Sequence, residues 1–99
     1  MFLGRDAGRE GMKGEFEEVW KRIRALEGEA FETKTGLPFT YKIDGEGLLP
    51  SRTKYRLSRK DIQTAYEQFP LDGPAPLNAI VRGPTYIWAI LHDKRIIKA

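Results

Sequence analysis

The sequence predicts a small single domain of the α+β class, with an N-terminal amphipathic helix, a three- to four-stranded, mainly antiparallel sheet and two further short helices. Two observations support this prediction. The 99 residues, 40% of them hydrophobic, suffice for one modest core and not for two. Apolar residues follow helical spacing in some segments and alternate in others, without the regular strand–helix–strand order of a parallel sheet.

The N-terminal part is predicted to be a tail followed by a helix. Residues 1–12 are rich in glycine and in charges of both signs, so we expect a flexible tail ahead of one domain over residues 13–99. From Glu15 the apolar residues have the spacing of a helix with one apolar face. Gly28 is typical of the position where such a helix ends. The apolar face comprises Phe16, Val19, Trp20, Ile23 and Leu26.

The middle of the chain is predicted to form strands. Residues 30–34 can form a short strand, and residues 37–43 alternate between apolar and polar side chains, which is typical of a half-buried strand. Residues 44–47 read Asp-Gly-Glu-Gly, which favours a loop between strands. We expect a further strand over about residues 52–57, paired antiparallel with the strand before it.

This last predicted strand opens the most basic segment of the chain. Residues 52–60 read R-T-K-Y-R-L-S-R-K and contain five basic residues and no acidic one. Alternation along a strand places Tyr55 and Leu57 on the core face. The opposite, cationic face comprises Arg52, Lys54 and Arg56. Cations that lead into a helix start, which favours anions, indicate a docking surface for phosphates.

A second helix is predicted directly after the basic strand. Ser58 and Asp61 have the S-x-x-D form of a capping box, so the helix should begin at Ser58. We expect it to end at Pro70, because proline does not continue a helix. The apolar positions with helical spacing are Ile62, Ala65, Tyr66 and Phe69.

The last third of the chain is predicted to hold a loop, a helix and a short strand. Residues 70–78 contain three prolines and should be irregular, and residues 79–82 fit a strand or a loop. Gly83, followed by proline, marks the start of a third helix that reaches His92 and is apolar on nearly all sides. Residues 95–97 are predicted to be a closing edge strand.

Composition excludes several kinds of site. The chain has no cysteine and a single histidine, His92, so it can form neither a disulfide scaffold, nor a thiol nucleophile, nor a conventional zinc site. It contains no phosphate-binding glycine loop, dinucleotide-binding turn or nucleophile elbow. We therefore expect no metal and no cofactor and assign no catalytic residue, and we favour a protein that is not an enzyme over one that is.

The hydropathy of the sequence indicates in which cellular compartment the protein is located. The longest apolar run, residues 86–91, is far shorter than the ~20 residues that cross a bilayer. The first residues carry charge almost at once, unlike a secretory signal. The sequence predicts a cytoplasmic protein without a membrane partner.

The distribution of charge favours an anionic partner. The net charge is +3, and all of the excess lies in the second half, because residues 1–27 are neutral and residues 28–50 are acidic. We expect a small nucleic-acid-binding module that contacts the phosphates of DNA or RNA. The predicted contacts are Arg52, Lys54, Arg56, Arg59 and Lys60, with Arg82 and Arg95 as outer contacts.

Two alternatives remain open at this point. Cations on an edge strand also prevent edge-to-edge association, and the chain would then be a protein-interaction or homodimerisation domain with Tyr86 and Trp88 at its interface. Alternatively, the helix–strands–helix order with a basic sheet is similar to that of small bacterial ribonuclease toxins. That resemblance implies His92, Tyr55 or Arg82 as acid–base and phosphate-stabilising groups.

Overall fold

The computed structural model describes residues 15–97. Within this range lie three α-helices, one short 3-10 helix and two small antiparallel sheets, so the predicted α+β class is confirmed. The tail predicted over residues 1–12 lies outside the described residues. None of the helices in the described range has the length and apolar character needed to cross a bilayer.

Helices α1, α2 and α3 cover residues 15–25, Arg59–Tyr66 and Pro84–His92, and the 3-10 helix covers Ala75–Leu77. The strands are β1 (Phe31–Glu32), β2 (Pro38–Phe39), β3 (Tyr41–Ile43), β4 (Gly47–Pro50) and β5 (Leu57–Ser58). Strands β1 and β2 form one sheet, and β3, β4 and β5 form the other with β4 in the centre.

The predicted N-terminal helix is confirmed. The side chains on its apolar face are buried, except that Leu26 is partly exposed. Gly28 follows the helix with a φ of +87°, a conformation that glycine adopts without strain. Its N–H donates to the carbonyl of Tyr41 at 3.0 Å, which ties the end of α1 to strand β3.

The strand predicted over residues 37–43 is divided between the two sheets. Phe39 pairs with Phe31 in the first sheet, whereas Tyr41 pairs with Pro50 in the second. The division falls at Thr40, whose N–H donates to the Ser51 hydroxyl at 3.0 Å instead of to a strand. The Asp-Gly loop between β3 and β4 is confirmed and is closed by the Asp44 N–H, which donates to the Gly47 carbonyl.

The basic strand predicted over residues 52–57 is wrong. The chain leaves the sheet after Pro50, crosses residues 51–56 as a loop and returns only at Leu57. Local hydrogen bonds explain this, since the Thr53 N–H donates to the Pro50 carbonyl and the Thr53 hydroxyl accepts from the Tyr55 N–H at 2.9 Å. Strand alternation therefore does not apply to these residues. We call residues 51–56 the basic loop.

The N-terminus of α2 is as predicted, and its C-terminus is not. The Ser58 hydroxyl accepts from the Asp61 N–H at 3.1 Å, so the cap is confirmed. The helix ends at Tyr66 instead of continuing to Pro70. The Phe69 N–H donates to the carbonyl of Tyr66, three residues earlier, and this turn replaces a further helical turn.

Helix α3 begins at Pro84 as predicted. Gly83 precedes it with a φ of +63°, and a Cβ built on Gly83 would lie 2.6 Å from a methyl group of Leu57. The edge strand predicted over residues 95–97 is wrong, because the N–H groups of Ile96 and Ile97 both donate to the Asp93 carbonyl and so form a turn. Ile96 is nevertheless fully buried.

All three helices and both sheets contribute to one core. The largest fully buried side chains are Phe16, Ile23, Phe31, Tyr41, Leu48, Leu57, Ile62, Leu77, Ile87, Ile90, Leu91 and Ile96. Leu57 thus takes the core position that the sequence predicts, although the strand that carries it is only two residues long.

Candidate nucleic-acid interface

The basic loop is attached to the fold at both ends by its own arginines. Near its start, Arg52 Nε donates to the Pro38 carbonyl of β2 at 2.6 Å. At its end, Arg56 Nε donates to the Asp44 carbonyl at 3.1 Å and lies 3.6 Å from the Asp44 carboxylate. Lys54, between these anchors, is exposed. The loop therefore has a defined backbone path and holds its cations at the surface.

Tyr55 points outward, contrary to the sequence prediction. It is 40% exposed, whereas Leu57 is fully buried. The Arg82 guanidinium carbon lies 5.1 Å from the centroid of the Tyr55 ring, within the range of a cation–π contact. The structure thus combines an aromatic ring with cations from two separate parts of the chain.

Arg82 reaches the basic loop because Gly83 packs closely against β5. Without a Cβ, Gly83 can lie directly against the Leu57 side chain. The Arg82 N–H donates to Asp61 Oδ2 at 3.4 Å, which also ties this segment to the first turn of α2. The order of residues along the sequence does not reveal this approach.

Arg59 has internal partners. Its guanidinium donates to Glu46 at 2.9 Å and to Glu17 of α1, and it lies over the rings of Phe16 and Trp20. The hydrogen bond that Arg59 donates to Glu46 is the main cause that raises the pKa of Arg59. A phosphate at this position would have to compete with two carboxylates, so Arg59 joins α1, the β3–β4 loop and α2.

Lys60 is exposed at the start of α2 and borders a shallow groove that it shares with Arg56. The groove beside Lys60 measures about 440 Å³, and it extends the cationic surface from the basic loop to the helix. It is lined by Glu46, Arg56, Ser58, Arg59, Lys60 and Gln63.

Arg95 contacts a different part of the molecule. It donates to both oxygens of the Asp93 carboxylate and to the Ala30 carbonyl, and its guanidinium carbon lies 4.4 Å from the Phe31 ring centroid. The hydrogen bond from Arg95 is the main cause that lowers the pKa of Asp93. Arg95 therefore fastens the turn after α3 to strand β1.

The two aromatic residues predicted at a protein interface make contacts within the domain. Trp88 is only 5% exposed, and its Nε1–H donates to the Leu71 carbonyl at 3.0 Å. Tyr86 is partly buried and packs edge-on against Phe39, with ring centroids 5.1 Å apart. These contacts hold α3 against the 70–78 loop and β2.

The residues considered for a ribonuclease site do not form one cluster. Tyr55 and Arg82 meet, but Arg82 precedes α3 and His92 ends it, so the nine-residue helix separates them by roughly 13 Å. His92 stacks on Trp88, with ring centroids 4.3 Å apart, and lines a second groove of about 760 Å³. The carboxylates lining that groove, which we call the acidic groove, belong to Glu15, Glu67, Asp72 and Asp93.

The part of the chain that the structure describes contains no cluster of side chains that could hold a metal ion. Residues 15–97 contain no group of three or more histidine, cysteine, aspartate or glutamate side chains placed to hold a metal ion. The basic loop presents guanidinium and ammonium groups around an exposed phenol ring. Such groups bind phosphate and stack on planar ligands.

Sequence reasoning identified the cations of this surface but missed the outward position of Tyr55. Two signals for a loop were present, since Pro50-Ser51 is a turn-forming pair and Thr53 can bind the backbone two residues onward. No signal linked Arg82 to Tyr55, because that contact depends on how Gly83 packs. Comparison with models of protein families, with curated proteins and with solved structures gave no match.

Proposed function

We propose that this chain is a small nucleic-acid-binding module whose contact surface is the basic loop together with Lys60 and Arg82. The observation that carries the proposal is the outward ring of Tyr55, which lies among exposed cations with Arg82 against it. Exposed aromatic rings beside a cationic surface are typical of proteins that bind nucleic acid strands. Arg59 and Arg95 serve the fold in this proposal.

The charges around the loop support an anionic partner. From Gly47 to Lys60 the chain contains no acidic residue. The Arg56 contact with the Asp44 carboxylate is exposed, and exposed ion pairs contribute little, so a phosphate can replace it. Each phosphate that such cations neutralise releases counterions, which adds affinity without regard to base sequence.

Protection of a sheet edge does not explain these cations. Cations prevent edge-to-edge association when they lie on an exposed edge strand. Residues 51–56 form a loop, and β5, the edge strand beside it, contains only Leu57 and Ser58. The cations of the basic loop therefore do not lie on an edge strand themselves, which favours a binding role.

The test is fluorescence anisotropy with a labelled oligonucleotide of about 12 nucleotides at about 50 and about 200 mM salt. The variant Lys54→Ala/Lys60→Ala removes two exposed cations from the proposed surface. The control Lys21→Ala/Lys94→Ala removes two exposed cations from other elements. Lys21 pairs only with the exposed Glu18 in the described structure, a contact that contributes little.

We expect the intact protein to bind at low salt and to lose affinity steeply as salt rises. The Lys54→Ala/Lys60→Ala variant should bind more weakly, and its logarithmic salt slope should be smaller by about 1.4 for a single strand, since two phosphate contacts are lost. The control pair should keep the slope of the intact protein. Absence of binding at low salt, or equal losses in both pairs, would contradict the proposal.

A further inference from the structure

We infer that the surface built by Tyr55 and Arg82 selects single-stranded over duplex nucleic acid by stacking an unpaired base on the Tyr55 ring. This inference rests on the proposed function and adds the class of partner. Cations alone bind the phosphates of both single strands and duplexes, so the Tyr55 ring must distinguish the two forms.

The surroundings of Tyr55 suit a stacking role. Its backbone is held by the Thr53 hydroxyl, so the ring extends from a defined loop. Among the described residues the Tyr55 ring has no aromatic partner, and its ring contact is with the Arg82 guanidinium. The residue is 40% exposed, so a base can approach it from solvent. Arg82 adds a positive charge at the same point.

A base can stack on Tyr55 only if it is not already paired and stacked within a duplex. In a duplex each base is already stacked between its neighbours and paired across the helix, so a ring on a protein loop gains access only after bases unstack. In a single strand the base faces are accessible. One base stacked on an aromatic side chain strengthens binding by about 5- to 150-fold.

The neighbouring cations fit the same geometry. Lys54 and Arg56 directly flank Tyr55 in the sequence, and both are exposed. A nucleotide whose base lies on the Tyr55 ring therefore has its phosphates close to ammonium and guanidinium groups. A Tyr55–Arg82 surface pair without a ligand role would give equal affinity for strands with and without bases.

The experiment compares three labelled probes of about equal length at about 50 mM salt: a mixed-sequence single strand, its blunt duplex, and a single strand with abasic sites at its central positions. The abasic strand keeps the phosphates and lacks the bases. Each probe is titrated with the intact protein, with Tyr55→Leu and with the matched control Tyr55→Phe, which keeps the ring. Urea unfolding of each variant checks that the fold is intact.

We expect the intact protein and Tyr55→Phe to bind the mixed single strand at least about 5-fold more tightly than the duplex or the abasic strand. Tyr55→Leu should bind the mixed strand only as tightly as the abasic strand. Equal affinity for all three probes, unchanged in Tyr55→Leu, would overturn the stacking inference and leave the proposed function standing. Failure to bind any probe at low salt would remove both.

Discussion

Tyrosines in this domain have contrasting surroundings, and their chemistry follows from them. Tyr41 is buried in the core, and its hydroxyl donates to the Ile23 carbonyl at 2.6 Å. Burial is the main cause that raises the pKa of Tyr41 far above its ordinary value. Tyr55 instead lies at the surface beside Arg82. The same residue type thus stabilises the fold at one position and is available to a ligand at the other.

The Tyr41 hydrogen bond gives a prediction for stability. Tyr41→Phe should lower the free energy of unfolding by about 1 to 2 kcal/mol near neutral pH, because it leaves the Ile23 carbonyl without this buried donor. Urea unfolding of the two proteins measures the difference.

The difference in free energy of unfolding between the intact protein and Tyr41→Phe should shrink at alkaline pH. Above about pH 10 an unfolded tyrosine ionises, whereas the raised pKa keeps folded Tyr41 neutral. The intact protein therefore loses stability from this group as pH rises, by up to about 1.4 kcal/mol per pH unit, and the phenylalanine variant does not. A difference that stays constant between neutral pH and about pH 11 would contradict the assigned burial of Tyr41.

At the scale of elements, the connection into α3 determines where Arg82 lies. Gly83 adopts a left-handed conformation and has no space for a Cβ beside Leu57. Because Arg82 comes directly before this glycine, the close packing places its guanidinium against Tyr55. A structural glycine therefore also positions a residue of the proposed binding surface.

Comparing Gly83→Ala with Gly45→Ala separates the stability cost of overpacking from that of backbone strain. The two glycines have nearly equal φ values, +63° and +60°, but a Cβ on Gly45 would meet only a side-chain nitrogen of Arg56 at 3.8 Å. Gly45→Ala should cost about 1 to 2 kcal/mol of stability through backbone strain alone. Gly83→Ala should cost about 1 to 3 kcal/mol more, because it overpacks the core at Leu57. Equal costs in urea unfolding would contradict this assignment.

The elements differ in how far the sequence determines them. Helix α1 and the turn after it contain five apolar residues at helical spacing, and the starts of α2 and α3 carry Ser58 and Gly83 as local signals, so these parts are predictable. The strands contain only two to four residues each. For such short strands, the hydrogen bond that Thr40 donates and the one that the Thr53 hydroxyl accepts decide where pairing stops, and alternation carries too little information.

At the scale of the whole molecule, charge is separated along α3. The basic loop and Arg82 lie near the start of this helix, and the acidic groove lies near its end at His92. In the proposal, a polyanion is attracted to the basic loop and repelled by the carboxylates of the acidic groove, which orients the domain during encounter. The cations of this surface could be predicted from the sequence. Its contact between Tyr55 and Arg82 could not, because it depends on tertiary packing.

The most direct test of the proposed surface is an NMR titration of the ¹⁵N-labelled protein with an unlabelled single strand at low salt. The proposal predicts that amide shifts cluster in residues 51–60 and at Arg82, and that the residues lining the acidic groove remain unchanged. Shifts centred on the acidic groove, or none at saturating oligonucleotide, would contradict the proposal that the basic loop binds nucleic acid.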